Sequence, residues 1–349
     1  MKYTFYATFA PGLAEAVKEV VLSRLDDARF IKLLDGAVIF ETSRTYDRLG
    51  FFCFNNIFAV IDIRERRGGL AALETHLGLV HTTGEAGREI ITKNSKNIRS
   101  FRIVTSLENR PAAVEGAIRS GAERYIARCS GLALDRANRG AEFWFLYRSE
   151  GFSVFMKRLT RRASWEKSLR PGELPPPLAW MLCRLANIGP GDTVLDPFSG
   201  SGAIPFQALK HFPPASVIAA DISAEAIRRT RKKLAAAAPA RRVILCKDVA
   251  ELAAALGEKS VTKIVSDPPW GFFAETALPL EQFYRNMTAV FSRILADEGA
   301  AVLLSARKPE LEQAAETAGF EITRRFSILL SGKKAGIFLL EKRGGRALS

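Results

Sequence analysis

The chain has 349 residues, of which 48% are hydrophobic and 25% charged, a balance typical of a soluble protein with two or three domains and not of a disordered chain. Lysine and arginine outnumber aspartate and glutamate by 51 to 37, which favours a polyanionic partner such as nucleic acid, although charge that serves only solubility is the alternative. No apolar run approaches the roughly 20 residues of a membrane span, and the cysteines and histidines show no metal-ligand spacing, so we expect a cytoplasmic protein without metal or membrane partners.

The first 160 residues alternate between strand-like and helix-like patterns. Residues 2–10 predict a strand, and Pro11 opens an amphipathic helix that runs to about Leu25. The further predicted elements are a hairpin at 28–42 around Asp35-Gly36, strands at 57–65 and 101–106, a helix at 112–129, and strands at 142–149 and 152–159. We therefore expect an α+β region here. The polar, basic and proline-rich segment 161–177 predicts a linker after it.

Strands and helices alternate regularly from residue 178 onward. The predicted strands lie at 193–198, 216–221, 242–247, 263–267 and 299–305, with a helix after each of them. Alternation at this spacing predicts a parallel, doubly wound sheet. Residues 320–331 and 335–342 are both strand-like and predict a closing antiparallel hairpin. The second half is therefore predicted to be an α/β domain with a mostly parallel seven-stranded sheet.

Polar residues follow the predicted ends of the first three strands of this domain. The first strand leads into a turn that contains Gly200 and Gly202, and glycines there let the backbone approach a ligand closely. Asp221 ends the second strand, where a carboxylate can accept the hydroxyls of a ribose, and Asp248 ends the third, where it can accept an adenine amine. Each aspartate alone could instead cap a helix. Together they line the crevice where open α/β sheets bind ligands, which predicts a ligand site.

The segment Asp267-Pro268-Pro269-Trp270 follows the fourth strand. An amine attached to a nucleic-acid base is a poor nucleophile, because its lone pair is delocalised into the ring. The carboxylate of Asp267 and the carbonyl of Pro268 could accept both N–H groups of such an amine and localise the lone pair, and Asp267 could also take the released proton. Trp270 offers a ring on which a base that has left its stack can lie. A plain proline turn beside an aromatic residue is the alternative reading of this segment.

The two motifs together resemble those of the amino-methyltransferases, which modify exocyclic amines of bases. The order of the motifs, Asp196-Pro197-Phe198-Ser199-Gly200-Ser201-Gly202 before Asp267-Pro268-Pro269-Trp270, matches the RNA-modifying members, and the predicted sheet is similar to that of class I methyltransferases with their Rossmann-like fold. The resemblance implies S-adenosylmethionine as cofactor, with Asp267, Pro268, Pro269 and Trp270 as the catalytic residues. The cofactor-binding residues that it implies are Asp196, Pro197, Gly200, Ser201, Gly202, Asp221, Ile222, Asp248 and Val249.

The first half is similar to that of THUMP-containing RNA methyltransferases. The opening Tyr6-Ala7-Thr8-Phe9-Ala10-Pro11-Gly12-Leu13 and the join at Leu174-Pro175-Pro176-Pro177 carry this resemblance. It implies a ferredoxin-like domain at 1–60, a THUMP RNA-binding domain at 61–160 and a class I methyltransferase domain at 178–349, with tRNA as the partner. The basic residues that could contact RNA are Lys93, Lys96, Arg99, Lys157, Arg161 and Arg162, and each could instead be ordinary surface charge.

From these resemblances we expect a monomeric enzyme that uses S-adenosylmethionine to methylate the exocyclic N2 amine of a guanosine in tRNA, in the acceptor stem. Two alternatives stay open. Trp270 is more typical of adenine-N6 enzymes, whereas related guanine-N2 enzymes usually carry tyrosine or phenylalanine there, so adenine-N6 methylation of RNA or DNA is the first alternative. The second is a non-catalytic RNA-binding protein whose methyltransferase domain is vestigial.

Overall fold

The computed structural model describes residues 2–46, 49–94, 97–108, 110–137, 140–160, 169, 173–212, 216–235, 241–271, 278–330 and 332–343. The chain divides into two compact units. The first comprises Met1–Phe9 and Lys18–Ala163, and the second comprises Ala10–Val17 and Ser164–Ser349. The division of the first unit into a ferredoxin-like and a THUMP domain stays a prediction.

The first unit is built on one sheet of nine strands. These strands are β1 (Tyr3–Thr8), β2 (Arg29–Leu34), β3 (Ala37–Thr42), β4 (Asn56–Glu65), β5 (Ser100–Leu107), β6 (Arg110–Pro111), β7 (Ala133–Leu134), β8 (Ala141–Arg148) and β9 (Phe152–Arg158). Their order is β2-β3-β1-β4-β9-β8-β5-β6, and β7 pairs with β5. The longer strands lie within two residues of their predicted bounds. The two-residue strands β6 and β7 carry too little pattern to be predicted.

The described residues of the first half form the helices α1 (Ala14–Arg24), α2 (Gly69–Gly78), α3 (Glu85–Thr92) and α4 (Gly116–Ser130), with a 3₁₀ turn at Val80–Thr82. The turn between β2 and β3 contains Gly36 with φ of 82°, which explains the predicted hairpin. The core beneath α2, α3 and α4 is aromatic, and the rings of Phe145 and Phe155 stack with centroids 4.2 Å apart.

The second unit contains a seven-stranded sheet in the order β12-β11-β10-β13-β14-β16-β15. Its strands are β10 (Thr193–Asp196), β11 (Ser216–Asp221), β12 (Arg242–Cys246), β13 (Val261–Ser266), β14 (Leu295–Ser305), β15 (Phe320–Leu330) and β16 (Lys333–Lys342). The first five in this order are mutually parallel, and β16 is antiparallel to both of its neighbours. The order in which successive strands are added to the sheet reverses between β10 and β13. Open α/β sheets bind their ligands at such a point, beyond the carboxyl ends of the strands.

The helices of the second unit are α5 (Pro176–Leu185), α6 (Ala203–His211), α7 (Ala224–Leu234), α8 (Leu252–Leu256), α9 (Leu280–Ile294) and α10 (Lys308–Thr317), with a 3₁₀ turn at Val249–Glu251. Helix α9 presents an apolar stripe of Tyr284, Met287, Phe291 and Ile294 to the core, each fully buried. These elements agree with the predicted alternation of strands and helices.

Helix α5 corrects the predicted linker. The segment 161–177 was expected to be irregular throughout, but its last two residues begin this helix, with Pro175 at the N-cap and Pro176 and Pro177 in the first turn. Proline lacks an N–H and has a fixed φ, and both properties suit the first turn of a helix, where no N–H partner exists. Residues 161–168 and 170–172 lie outside the described part of the chain.

Candidate active site

Three aspartates lie at the carboxyl ends of neighbouring parallel strands. Asp196 is the last residue of β10, Asp221 is the last residue of β11, and Asp267 directly follows the last residue of β13. The register of the parallel pairs aligns these ends, because Asp196 lies opposite Ala219 and Leu195 opposite Ile264. The structure therefore brings together the ends of β10, β11 and β13 at one edge, as their sequence positions predicted.

The glycine-rich turn after β10 is held by its neighbours. Gly200 and Gly202 have φ of 53° and 79°, a region that costs other residues about 1–2 kcal/mol. The N–H of Gly200 donates to Oδ2 of Asp221 over 2.9 Å, and the hydroxyl of Thr230 in α7 donates to the Gly200 carbonyl over 3.1 Å. Lys233, one turn further along α7, donates to the Ser201 hydroxyl over 3.2 Å. The turn is thus braced on one side by β11 and on the other by α7.

A side chain at Gly200 would extend into open space, because an added Cβ atom would meet only the Phe198 carbonyl at 3.9 Å. At Gly202 the same atom would lie 3.1–3.2 Å from Thr230. The two glycines therefore serve different purposes. Gly200 leaves room beside the turn for a ligand, whereas Gly202 allows the turn to pack against α7.

Asp221 combines a fixed carboxylate with an exposed apolar neighbour. Its Oδ1 accepts from the backbone N–H of Ser223 over 2.9 Å, and its Oδ2 accepts from Gly200. Each oxygen retains a second lone pair with which it could accept a hydroxyl. Ile222 is 70% exposed, an unusual position for a large apolar side chain. A carboxylate beside an exposed apolar surface suits a nucleoside, which has sugar hydroxyls and an apolar base face.

Asp248 and Val249, at the end of β12, match their predicted role less directly. Asp248 caps the 3₁₀ turn that follows, since its Oδ1 accepts from the N–H of Ala250 and its own N–H donates to Glu251 in a capping box. The side chain of Val249 is buried in the hydrophobic core, so it offers no side-chain surface to a cofactor. Its hydrophobicity serves packing, and its part in binding the cofactor stays a prediction.

Asp196 is buried and hydrogen-bonded to the end of the adjacent strand. Its Oδ1 accepts from the hydroxyl of Ser266 over 2.6 Å and from the N–H of Phe198 over 3.2 Å. Burial raises the pKa of Asp196 to about 7, and these hydrogen bonds only partly offset the effect. Pro197, which follows, is also buried. Asp196 therefore connects the glycine-rich turn to the strand that carries Asp267.

Asp267 has an unsatisfied buried oxygen. Its Oδ1 has no hydrogen-bond partner among the described residues, although buried carboxylate oxygens are nearly always paired. Burial raises the pKa of Asp267 well above its usual value, and the nearby charge of Asp196 raises it further. An unpaired acceptor with a raised pKa, on the carboxyl end of a central strand, is suited to receive an N–H group and then a proton.

The turn after Asp267 is fixed by contacts to α9 and to the end of β14. The carbonyl of Pro269 accepts from the Tyr284 hydroxyl over 3.0 Å, and the carbonyl of Trp270 accepts from Nε of Arg307 over 2.8 Å. The indole N–H of Trp270 donates to the carbonyl of Leu304 over 3.3 Å, and its side chain is half-buried. Tyr284 and Arg307 were not predicted. The only signal for Tyr284 in the sequence is a hydroxyl on the otherwise apolar stripe of α9.

The predicted RNA-contacting residues all belong to the first unit. Lys93 and Arg99 are exposed. Lys96, Arg161 and Arg162 lie outside the described residues. Lys157 contradicts its expectation, because it is buried and its ammonium donates to the carbonyls of Ile90 and Lys93 and to the side chain of Asn94. Burial lowers its pKa to about 8. Lys157 therefore caps the end of α3 and is not available to a phosphate.

The described ranges contain neither a candidate metal site nor a candidate membrane span. In these ranges no three histidine, cysteine, aspartate or glutamate side chains lie close enough together to hold a metal ion. The helices of the same ranges include none with the length and apolar character that a membrane crossing requires.

Comparisons with known proteins show that the second unit is similar to methyltransferases. Residues 163–335 match the family model described as UPF0020, RMKL-like methyltransferase domain. A tRNA (guanine(6)-N2)-methyltransferase of Thermus thermophilus is 31% identical over 193 residues, covering 55% of this chain and 56% of that protein. A U6 snRNA (guanine-N(2))-methyltransferase, THUMPD2 of Homo sapiens, is 30% identical over 159 residues, covering 46% of this chain and 30% of that protein. The match thus spans about half or less of each relative's length.

A solved structure extends the likeness in fold to nearly the whole chain. The structure of TrmN from Thermus thermophilus aligns with a TM-score of 0.78 and 23% identity, covering 97% of this chain and 99% of that one. Identity this low establishes the fold alone. The strand order of the second unit, with an antiparallel strand inserted next to the last parallel one, is the arrangement expected of a class I methyltransferase.

Proposed function

We propose that this chain, whose residues 163–335 belong to the RMKL-like methyltransferase domain family, methylates the exocyclic N2 amine of a guanosine in RNA, with tRNA as the substrate and S-adenosylmethionine as the methyl donor. The observation that carries the proposal is the unpaired, buried Oδ1 of Asp267 beside the Pro268-Pro269 turn. A buried acceptor costs free energy unless a ligand satisfies it, about 1–3 kcal/mol for a typical group. An amine N–H is the ligand group that fits it.

The residues at the ends of β10 and β11 fit the cofactor. Asp221 could accept the ribose hydroxyls, the exposed Ile222 could pack on the adenine, and the open space at Gly200 admits the ligand beside the turn. Asp248 could accept the adenine amine through the oxygen that does not cap the 3₁₀ turn. When bound, the cofactor supplies a methyl group activated by an adjacent sulfonium. In this proposal the glycine-rich turn is shaped and supported by Asp196, Pro197, Ser201 and Gly202.

The residues of the Asp267 turn would act on the base. Asp267 and the Pro268 carbonyl each accept one N–H of the amine, which draws the lone pair out of conjugation and toward the methyl group. Asp267 then takes the proton that the nitrogen releases, and its raised pKa favours that transfer. Trp270 provides a half-buried ring on which the extruded base stacks, worth about 1–3 kcal/mol. Most of the rate enhancement then comes from positioning.

The RNA substrate is supported by the relatives and by the charge of the chain. Both relatives carry names of guanine-N2 methyltransferases acting on RNA, and the net charge of +14 suits a polyanion. In this proposal the first unit holds a ferredoxin-like domain and a THUMP domain, and exposed basic residues such as Lys93 and Arg99 contact the RNA backbone.

Adenine-N6 methylation is the second candidate, and Trp270 is the observation that favours it. A single measurement separates the candidates. The purified protein is incubated with unmodified tRNA and labelled S-adenosylmethionine, and the digested nucleosides are analysed by mass spectrometry. Formation of N2-methylguanosine supports the proposal. Formation of N6-methyladenosine contradicts it and supports adenine-N6 methylation. Absence of transfer to any RNA or DNA, together with absence of cofactor binding by calorimetry, contradicts both candidates.

A further inference from the structure

We propose that Tyr284, Ser305 and Arg307 are positioning residues that fix the turn after Asp267 so that the Pro268 carbonyl faces the target amine. The inference rests on the proposed function, and it adds to it a set of residues on α9 and at the end of β14. None of the three side chains belongs to the Asp267 segment itself, and each acts through the backbone of that segment.

The hydrogen bonds among these residues form a chain with one possible direction. The backbone N–H of Arg307 donates to the Ser305 hydroxyl over 2.9 Å, the hydroxyls of Ser305 and Tyr284 lie 2.7 Å apart, and the carbonyl of Pro269 is 3.0 Å from the Tyr284 hydroxyl. A backbone N–H can only donate and a carbonyl can only accept. Ser305 must therefore donate to Tyr284, and Tyr284 must donate to Pro269.

Burial makes this chain a rigid support. Tyr284 and Ser305 are both fully buried, so water does not compete for their hydroxyls. Burial also raises the pKa of Tyr284 far above its usual value, which keeps the phenol protonated and able to donate. The ring of Tyr284 packs edge-on against Phe283, with centroids 5.6 Å apart, so the hydroxyl has a fixed position.

Arg307 holds the turn at a second point. Its backbone N–H begins the chain to Pro269, and its Nε donates to the carbonyl of Trp270 over 2.8 Å. Two consecutive carbonyls are thereby held by donors from the protein. No group in the described ranges donates to the carbonyl before them, that of Pro268. Of the three carbonyls in the turn, that of Pro268 lacks a donor among the described residues, and in the proposed function it accepts from the substrate.

Positioning of this kind should affect turnover more than binding. Small displacements of a group that contacts the reacting atom can lower the rate about a hundred-fold while the overall fold persists. The residues proposed for the cofactor lie at the ends of β10, β11 and β12, and none of them is a member of the chain from Arg307 to Pro269. Loss of a member of this chain is therefore expected to lower kcat and to leave cofactor affinity unchanged.

The test uses Tyr284→Phe, Ser305→Ala and the double variant in the whole 349-residue chain. Tyr147→Phe is the matched control, because the Tyr147 hydroxyl also binds a backbone group, the N–H of Gly68 in the first unit. Calorimetry with S-adenosylhomocysteine gives the number of intact cofactor sites, and single-turnover methyl transfer to saturating tRNA is expressed per intact site. A purely structural defect lowers the number of sites, whereas a positioning defect lowers the rate per site.

The expected result is a loss of about ten- to a hundred-fold in rate per site for Tyr284→Phe and Ser305→Ala, with unchanged cofactor affinity. The rate per site of the double variant should be no lower than that of the less active single variant, because both changes break the same chain. Wild-type rate per site in Tyr284→Phe, or a fall equal to that of Tyr147→Phe, overturns the inference alone. A wild-type protein that modifies no guanosine overturns the proposed function, and the inference with it.

Discussion

The hydroxyl of Ser266 donates to Oδ1 of Asp196 over 2.6 Å and so joins the last residue of β13 to the last residue of β10. Both residues are buried, and the bond crosses between adjacent parallel strands at the edge where the site lies. It places the carboxyl group of Asp196 near Asp267, the residue after Ser266, and the charge of Asp196 when ionised raises the pKa of Asp267. The cofactor turn and the proposed catalytic carboxyl are therefore electrostatically connected, and changes to one should be measurable at the other.

Replacement of Asp267 by asparagine should separate catalysis from cofactor binding. The amide keeps the shape but cannot take a proton, so we expect methyl transfer to fall by at least about a hundred-fold. Cofactor affinity should change little, because the contacts proposed for the cofactor are made by other residues. Asp221→Asn is the control and should show the opposite pattern, with weakened cofactor binding by calorimetry. Equal losses of cofactor affinity in the two variants would refute the assignment of Asp267 to the base.

The rate of methyl transfer should fall on the acid side at an unusually high pH. Asp267 acts as a base only when it is deprotonated, and burial raises its pKa, so transfer should be slow at low pH and rise as the pH passes that raised pKa. An ordinary aspartate would place this fall, the acid limb of the pH profile, near pH 4. Single-turnover rates measured at saturating cofactor and tRNA across the neutral range locate it.

Asp196→Asn tests the cause of that acid limb. The amide oxygen can still accept from Ser266, but asparagine cannot ionise, so the variant removes the charge by which ionised Asp196 raises the pKa of Asp267. We therefore expect the limb to move to lower pH while the protein stays folded, as judged by its thermal unfolding. An unmoved limb would show that the two carboxyl groups do not interact through their charges.

Alanine at the two glycines should have different effects. Gly200→Ala places a methyl group in the open space proposed for the cofactor, so cofactor affinity should fall strongly while the free energy of unfolding falls by only about 1 kcal/mol from backbone strain. Gly202→Ala adds a close contact with Thr230 to a similar strain, so stability should fall by about 2 kcal/mol or more. Urea unfolding and calorimetry measure both quantities. If the loss of cofactor affinity and the loss of unfolding free energy stood in the same ratio in both variants, the two glycines would not have different roles.

Lys157→Met should destabilise the first unit without weakening RNA binding. The variant leaves three partly buried acceptors around the end of α3 without their donor, and an unsatisfied buried group costs about 1–3 kcal/mol. The matched control is Lys93→Met, which removes an exposed charge from the same end of α3 and should weaken tRNA binding with little change in stability. Filter binding well below the unfolding temperature checks affinity. Weaker RNA binding by Lys157→Met would contradict the buried role.

The sequence was sufficient to predict the placement of Asp196, Asp221 and Asp267, because strands that alternate with helices form parallel sheets whose carboxyl ends meet at one edge. It was also sufficient to predict the bounds of most strands. These features depend on local pattern and on general rules of chain topology, and neither requires knowledge of which side chains meet.

The features that the sequence did not predict depend on tertiary contacts. Lys157 occupies the end of β9, where a positive charge is ordinarily solvated, and only the neighbouring end of α3 explains its burial. Tyr284 and Ser305 are 21 residues apart, and their partnership follows from the packing of α9 against the end of β14. The prediction for the prolines at the start of α5 is wrong for another reason, since the same residue type that excludes pairing in strands also starts helices.

The edges of both sheets carry residues that oppose the addition of a further strand. The edge strand β2 contains Arg29 and Lys32, the short β6 ends in Pro111, β12 begins at Arg242, and β15 carries Arg324 near its centre. Charged side chains and proline on an edge disfavour pairing with a second chain, because pairing would bring like charges together or leave a ladder hydrogen bond unmade. The two sheets should therefore resist edge-to-edge aggregation at high protein concentration. Replacement of the charge on β15 by a neutral residue should weaken that resistance first.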